Sequence, residues 1–209
     1  PPDWKWHRYY FDFYSHYEQI GSFTREMSRK LGAKGWLSLS WPQDCGGKGA
    51  SPIYQFILTE ELEYNHCPGI DIFGVTMIAP PLIRCGSEEQ KKEHLPGIAK
   101  GEVFWCECLS EPGAGSDLAS LQTQATEEGD DFVVNGQKVW TTGAHVADWG
   151  ILLARTDPEL PRHRGLSLFL MDMKTPGITV RPLVNMAGDH EFNEVFLDNV
   201  RVPKKNLVG

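Results

Sequence analysis

One proline and two glycines, Pro112, Gly113 and Gly115, fall within four positions and restrict the local fold more than any other feature of the sequence. Such a run forces a tight loop with few side chains, whose backbone amides can face a ligand. Gly113-Ala114-Gly115 has the spacing that begins a dinucleotide-binding fingerprint, but Leu118 stands where the third glycine belongs. The sequence therefore argues against a Rossmann fold.

The residues after this loop alternate between apolar and polar types. Leu121, Thr123 and Ala125 have polar neighbours, which is the period of a β-strand, and no helical stripe follows. The pattern predicts a strand, a loop and a second strand. The residues alone leave two roles open for the loop, namely a binding site for a phosphate or a flavin edge and a plain turn.

A second turn signal follows at Asn135-Gly136, which lies between two apolar runs. An Asn-Gly pair in that setting is the strongest short-range signal for a β-hairpin. We therefore predict a hairpin, with Trp140, Thr141 and Thr142 on its second strand.

The sequence before Gly101 contains helix signals. Ser51 followed by Pro52 is typical of a helix start, and positions 87–90 form a capping box that begins another helix, which Pro96-Gly97 is expected to end. We expect both helices to pack against a core. The apolar residues on one side of the first of them are Ile53, Phe56, Ile57 and Leu62.

The sequence after Gly101 instead predicts short strands separated by Pro, Gly and Asp turns. We predict an α+β fold with an all-α domain over residues 1–101 and a β-barrel domain over residues 102–209. The expected strands of the second half are 149–154, 165–173, 177–180 and 194–197.

The composition favours an enzyme domain with a sizeable core. The chain has 209 residues, of which 41% are hydrophobic. A formal net charge of −8 without a basic run argues against nucleic acid, and no stretch approaches the roughly 18 apolar residues of a membrane span. The five cysteines lack a C-x-x-C pair, so we expect structural thiols and no metal site.

Two long motifs show a resemblance to the acyl-CoA dehydrogenase family. They are Ser-Glu-Pro-Gly-Ala-Gly-Ser-Asp at positions 110–117 and Asn-Gly-Gln-Lys-Val-Trp-Thr-Thr at positions 135–142. The similarity extends to Trp41-Pro42, to Met186-Ala187-Gly188 and to positions 199–203, and it covers nearly the whole chain. It implies a helical domain, a middle β-barrel domain and a C-terminal helical bundle that is missing from this chain. The family's catalytic glutamate lies in that bundle, so we expect no catalytic residue within these 209 positions.

The family dehydrogenates the α and β carbons of an acyl-CoA thioester and passes the β hydride to N5 of FAD. The resemblance therefore implies an FAD in the barrel cleft, with the Thr142 hydroxyl at N5 and Trp140 beside the ring system. Leu109 and Ser110 match positions that bond the pyrimidine end. The other expected cofactor contacts are Gly115, Ser116, Thr141 and Glu107, the last of which stands where many members have an aromatic residue.

The resemblance also implies contacts with the substrate. Ser116 matches a serine near the CoA arm, and Arg164 lies in a loop that approaches the CoA nucleotide in the family, although a solvated surface charge is the alternative for Arg164. The acyl cavity is expected along positions 74–82. Glu111 and Asp117 are interpreted as structural carboxylates.

The implied partners are an acyl-CoA, an electron-transfer flavoprotein or similar acceptor, and further subunits in a homodimer, homotetramer or heterotetramer. The implied compartment is the bacterial cytoplasm or the mitochondrial matrix. Two other functions stay open, namely a flavin-dependent monooxygenase or oxidase on the same fold and a non-catalytic flavin-binding subunit of a heteromer.

Overall fold

A computed structural model describes Tyr14 and residues 16–209, with only the backbone described for Gln19. The first part is helical, as the sequence predicts. Its elements are α1 (Tyr17–Ala33), α2 (Pro52–Tyr64), a π-helix (Phe73–Ile78), α3 (Ala79–Cys85) and α4 (Glu88–Ala99).

Helix α2 begins at Pro52 as predicted, but its apolar side is not packed as we expected. Ile53, Phe56 and Ile57 are 54%, 63% and 46% exposed, whereas Leu62 packs against the core. The expectation of packing is wrong for the first three residues, because no element within the described residues covers that side of the helix.

Helix α4 begins with the predicted capping box. The amide of Gln90 donates to the Ser87 hydroxyl, and the Ser87 amide donates to the Gln90 side chain. The predicted end at Pro96-Gly97 is wrong, since the helix continues to Ala99. Its actual end is a Schellman motif, in which Gly101 has a φ of +65° and the following amide donates to the Gly97 carbonyl.

Eight strands of the described chain form one sheet. They are β1 (Trp105–Cys108), β2 (Gln124–Glu128), β3 (Asp131–Lys138), β4 (Trp149–Arg155), β5 (Leu166–Asp172), β6 (Ile178–Leu183), β7 (Phe192–Pro203) and β8 (Leu207–Val208). Their order is β6-β7-β3-β2-β4-β5-β8, and β1 pairs in parallel with β4. A helical part followed by a β-rich part confirms the predicted fold class. Each strand expected after residue 148 is present, and β7 is much longer than predicted.

Alternation along the strands divides the core into two apolar clusters. Trp105, Ile151 and Leu170 face the helices, while their neighbours Cys106 and Leu152 lie in a second cluster formed by residues of the strands. The first cluster contains residues from both parts of the chain, so the helices pack directly on one face of the sheet. The division into domains 1–101 and 102–209 stays a prediction.

The predicted hairpin at Asn135-Gly136 is wrong. Both residues lie inside the continuous strand β3, at a β-bulge where the register with β7 shifts between Val134 and Gly136. The glycine is needed for close packing, since a Cβ at Gly136 would lie 2.4 Å from the Thr123 hydroxyl and 2.8 Å from the Thr123 Cα. A close approach between β3 and the residue just before β2 therefore favours the same dipeptide as a turn.

The placement of Trp140, Thr141 and Thr142 on a strand is also wrong, because β3 ends at Lys138 and these residues follow it. Within the described residues, no helix is long and apolar enough to cross a membrane.

Candidate functional site

The loop that contains Pro112 and the two glycines is a tight turn attached to the sheet by a buried ion pair. The amides of Glu111 and Ala114 each donate to the other residue's carbonyl. The Lys138 ammonium, which is fully buried, donates to the Glu111 carboxylate at 2.8 Å and to the Leu109 carbonyl at 3.0 Å. The sequence anticipated the turn and the structural role of Glu111, but not the lysine.

Two backbone amides complete the surroundings of this carboxylate. The amides of Gln122 and Thr123 donate to Glu111 at 2.6 and 2.9 Å. Burial by itself would raise the pKa of Glu111, but these hydrogen bonds and the one from Lys138 outweigh it and lower that pKa. The carboxylate is therefore ionised. It binds the end of the loop at Gln122 and Thr123, while its partner Lys138 binds the beginning of the loop at Leu109.

The same strand end brings two predicted groups of cofactor residues together. Lys138 binds the Leu109 carbonyl, and the amide of the next residue, Val139, donates to the Ser110 carbonyl at 2.9 Å. Trp140, Thr141 and Thr142 follow directly in the sequence. Leu109 and Ser110 thus lie beside the Trp-Thr-Thr segment, which we define as residues 140–142.

The Trp-Thr-Thr segment presents a flat aromatic ring to solvent. Trp140 has a φ of +59° and is 62% exposed, and its ring makes an edge contact with Phe192 at 6.1 Å between centroids. Thr142 is half-buried, while Thr141 is buried and its hydroxyl has no hydrogen-bond partner within the described residues. A left-handed tryptophan is unusual, and such residues cluster at functional sites.

The remaining predicted cofactor residues lie at two different depths. Glu107 is half-buried on β1, where burial raises the pKa of its carboxyl group. Gly115 and Ser116 are exposed at the outer side of the tight turn. A Cβ at Gly115 would meet nothing within 4 Å, so no steric contact requires glycine there.

The loop that contains Arg162 and Arg164 lies next to the segment after Ser116. Arg162 donates to Asp117 at 3.2 Å, so its charge is already paired, whereas Arg164 is exposed. Arg155 connects the two loops, because its three guanidinium nitrogens donate to the carbonyls of Ala119, Leu121 and Arg162. Ser116 and Arg164 therefore belong to loops that one side chain joins.

A mostly apolar cleft lies against these loops, which line it with Leu118, Ala119 and His163. It has a volume of about 660 Å³ and is adjacent to a small apolar cavity that Met77, Ile78 and Leu82 line. Leu168 and Val208 line both spaces. The predicted acyl segment 74–82 thus supplies one wall of this apolar region. No group of three or more potential metal ligands occurs among the described residues.

Sequence reasoning missed three residues that shape this site: Lys138, Arg155 and Asn193. Asn193 is fully buried and hydrogen bonds to the Thr141 carbonyl. A pattern-based search does not find such residues, because the backbone carbonyls that they bind, at Leu109, Ala119 and Thr141, are 29, 36 and 52 positions away in the sequence. For Lys138, the one available signal was its even spacing from Phe132 and Val134, which places the lysine on the side of the strand where those two residues are buried.

Family models agree with this architecture. The model "Acyl-CoA dehydrogenase, N-terminal domain" matches residues 11–102, and the model "Acyl-CoA dehydrogenase, middle domain" matches residues 106–200. Together they span most of the chain.

Individual relatives are similarly close. The acyl-CoA dehydrogenase FadE34 of Mycobacterium tuberculosis is 47% identical over 179 residues, which is 86% of this chain and 25% of the relative. The solved Tcur3481-Tcur3483 steroid ACAD has a TM-score of 0.84 at 39% identity, over 88% of this chain and 48% of that one. The ChsE4-ChsE5 complex from Mycobacterium tuberculosis has a TM-score of 0.83 at 38% identity, over 96% and 53%.

The chain spans between a quarter and about half of the length of these relatives. Their match to both parts of the fold, together with the two family models, shows that this chain belongs to the acyl-CoA dehydrogenase family.

Proposed function

We propose that this protein is an FAD-dependent dehydrogenase that introduces an α,β double bond into an acyl-CoA thioester. The observation that supports this most strongly is the convergence of Leu109 and Ser110 with the Trp-Thr-Thr segment through the Lys138 and Val139 hydrogen bonds. Those are the two groups of residues that the family motifs assign to the flavin.

The residues of this surface fit a flavin. An exposed indole ring at Trp140 offers a flat surface for packing, and the Thr141 hydroxyl is buried without a partner in the described part of the chain. When bound there, FAD would supply a hydride acceptor at N5. The chain's own contribution is to fix the plane of the ring and to place the Thr142 hydroxyl against it.

The substrate proposed is an acyl-CoA with a bulky apolar acyl group. The small cavity beside Met77 is lined by apolar residues alone, and Leu168 and Val208 continue this apolar wall into the larger cleft. A solved relative with 39% identity is described as a steroid ACAD, which supports a polycyclic acyl group. The exposed Arg164 and Ser116 are proposed to meet the CoA arm, because a guanidinium suits phosphate.

The assembly proposed is an oligomer with at least one further subunit. One solved relative is a complex of two named chains, ChsE4 and ChsE5. An electron-transfer flavoprotein or a similar acceptor is the proposed oxidant of the reduced flavin.

The experiment that tests the function is an anaerobic visible spectrum of the full-length gene product, recorded before and after addition of straight, branched and steroid-like acyl-CoA thioesters. We expect the bound flavin to bleach with a bulky thioester. Bound flavin that no thioester bleaches would favour the oxygen-using alternative. A protein without flavin would contradict the proposal outright.

A pair of variants tests the role of Thr142. A hydrogen bond to a charged group is worth about 1.5–3 kcal/mol, so we expect flavin reduction to slow by roughly 10- to 150-fold in Thr142→Ala. Thr142→Ser keeps the hydroxyl and is the matched control. An unchanged rate of anaerobic reduction in Thr142→Ala would contradict the proposed hydrogen bond between the Thr142 hydroxyl and flavin N5.

A further inference from the structure

We propose that Asn193 and His145 are positioning residues that hold the Trp-Thr-Thr segment in place for the flavin. The inference rests on the proposed function and identifies the part of the chain that sets the geometry of that site. Neither residue belongs to the motifs that resemble the family's flavin-binding residues.

The pairing of β3 with β7 continues beyond the end of β3. Lys138 pairs with Val195, and the amide of Thr141 then donates to the Asn193 carbonyl at 3.0 Å. The amide of Gly143 donates to Glu191 at 2.9 Å, which continues the same ladder. Val139 and Trp140 therefore lie opposite Glu194 alone, so the left-handed Trp140 is the extra residue of a β-bulge.

This bulge turns the tryptophan ring away from the sheet. Bulges redirect side chains and are frequent next to active sites. The left-handed conformation is unfavourable for a residue with a side chain, so the surrounding contacts must hold Trp140 there. The contacts that come directly after the bulge are those of Asn193.

The Asn193 side chain fixes the direction of each hydrogen bond around it. Its amide nitrogen donates to the Thr141 carbonyl at 3.0 Å and lies 3.1 Å from His145 Nδ1. A carbonyl can only accept, so the nitrogen, and not the oxygen, must face Thr141. The Asn193 oxygen then accepts from His190 Nε2 at 2.8 Å.

The state of His145 follows from this arrangement. Because Nδ1 accepts from Asn193, the proton lies on Nε2, which donates to the Tyr14 carbonyl at 3.0 Å. Burial lowers the pKa of His145, and His190 stacks on it at 4.2 Å between ring centroids. A neutral imidazole therefore links Asn193 to Tyr14, and the ring of Tyr14 lies against Gly143, where a Cβ would come within 2.4 Å of it.

An asparagine is the residue that satisfies this network. Asn193 is 0% exposed, so a change in its donors is not compensated by bulk water. An aspartate of the same shape has no donor for the Thr141 carbonyl. It would also favour a second proton on His145, which faces His190 and the Tyr14 carbonyl on its other sides.

The test compares Asn193→Asp and Asn193→Ala with a matched control in the full-length protein. Asn135→Ala is the control, because Asn135 lies at the other bulge between β3 and β7. Its side-chain oxygen accepts a hydrogen bond from the Asn199 amide at 2.8 Å. Hydrogen exchange of peptides covering residues 139–147 reports the order of the segment without any flavin. Anaerobic reduction of the bound flavin by a thioester reports its alignment.

We expect faster exchange over residues 139–147 and a reduction rate lower by about 10- to 100-fold in both Asn193 variants, with neither effect in Asn135→Ala. In Asn193→Asp the reduction rate should also acquire a dependence on pH from His145 that wild type lacks. Unchanged exchange in both variants, or faster exchange with a wild-type reduction rate, overturns the positioning role. A wild-type protein whose flavin no thioester bleaches overturns the proposed function instead.

Discussion

At the scale of single residues, the buried pair Lys138–Glu111 is the most consequential contact outside the proposed flavin surface. It links the end of β3 to the tight turn, and it also orients the Leu109 carbonyl. The sequence predicted the structural role of Glu111 because a carboxylate beside a Pro-Gly turn usually binds neighbouring amides. It did not predict Lys138, since the 27 positions between the partners hide their contact.

We expect Lys138→Met to destabilise the fold by about 3–5 kcal/mol, because it leaves the Glu111 carboxylate buried without its countercharge. The double variant Lys138→Met/Glu111→Gln should recover part of that loss, since no uncompensated charge remains. Urea unfolding of the full-length protein measures both free energies. A Lys138→Met variant within roughly 0.5 kcal/mol of wild type would show that the pair is dispensable.

At the scale of elements, short-range signals were reliable where the chain's own backbone decides the structure. The capping box at Ser87 and the start of α2 at Pro52 depend on neighbours within four residues, and both predictions are confirmed. The Asn-Gly signal failed because the glycine at position 136 is required by the close approach of Thr123, the residue just before β2. The left-handed Trp140 is likewise a product of the pairing between β3 and β7, which no local pattern specifies.

Arg155 of β4 joins the two loops that contain Ser116 and Arg164, which we propose to contact the nucleotide of CoA. Its planar guanidinium reaches three carbonyls, which a lysine ammonium does not match. In Arg155→Lys we expect the KM for an acyl-CoA to rise by about 10-fold, with little change for a truncated thioester that lacks the nucleotide. Arg201→Lys, on the exposed side of β7, is the matched control. If Arg155→Lys changed the KM for the acyl-CoA and the KM for the truncated thioester equally, a role of Arg155 in nucleotide binding would be contradicted.

At the scale of the whole molecule, the helical and β-rich parts share one core, and a buried carboxylate lies at their junction. Asp71 precedes the π-helix, accepts a hydrogen bond from the Trp105 amide of β1 at 3.3 Å, and is 2% exposed. Its Oδ1 has no partner within the described residues. Burial raises the pKa of Asp71 from 3.8 to about 7, although hydrogen bonds from the Gly74, Trp105 and Phe73 amides oppose that rise.

The sign of the resulting pH dependence follows from proton binding. Between pH 3.8 and about pH 7, the folded protein holds a proton on Asp71 that the unfolded chain has lost. This contribution to stability is therefore complete below pH 3.8 and is lost as the pH rises toward 7. At roughly 1.4 kcal/mol per pKa unit, the loss is on the order of 4 kcal/mol.

Asp71→Asn keeps an acceptor for the Trp105 amide and removes the titration. We expect the free energy of unfolding of this variant, relative to wild type, to increase by up to about 4 kcal/mol between pH 4 and pH 8. Urea unfolding of the full-length protein across that range measures the difference, with Asp198→Asn as an exposed control. The lowered pKa values of His94 and His145 act in the opposite direction, because they make the free energy of unfolding rise with pH. They do so in wild type and variant alike, so the difference between the two proteins isolates the contribution of Asp71. Parallel curves for wild type and Asp71→Asn would mean that the junction tolerates the ionised carboxylate.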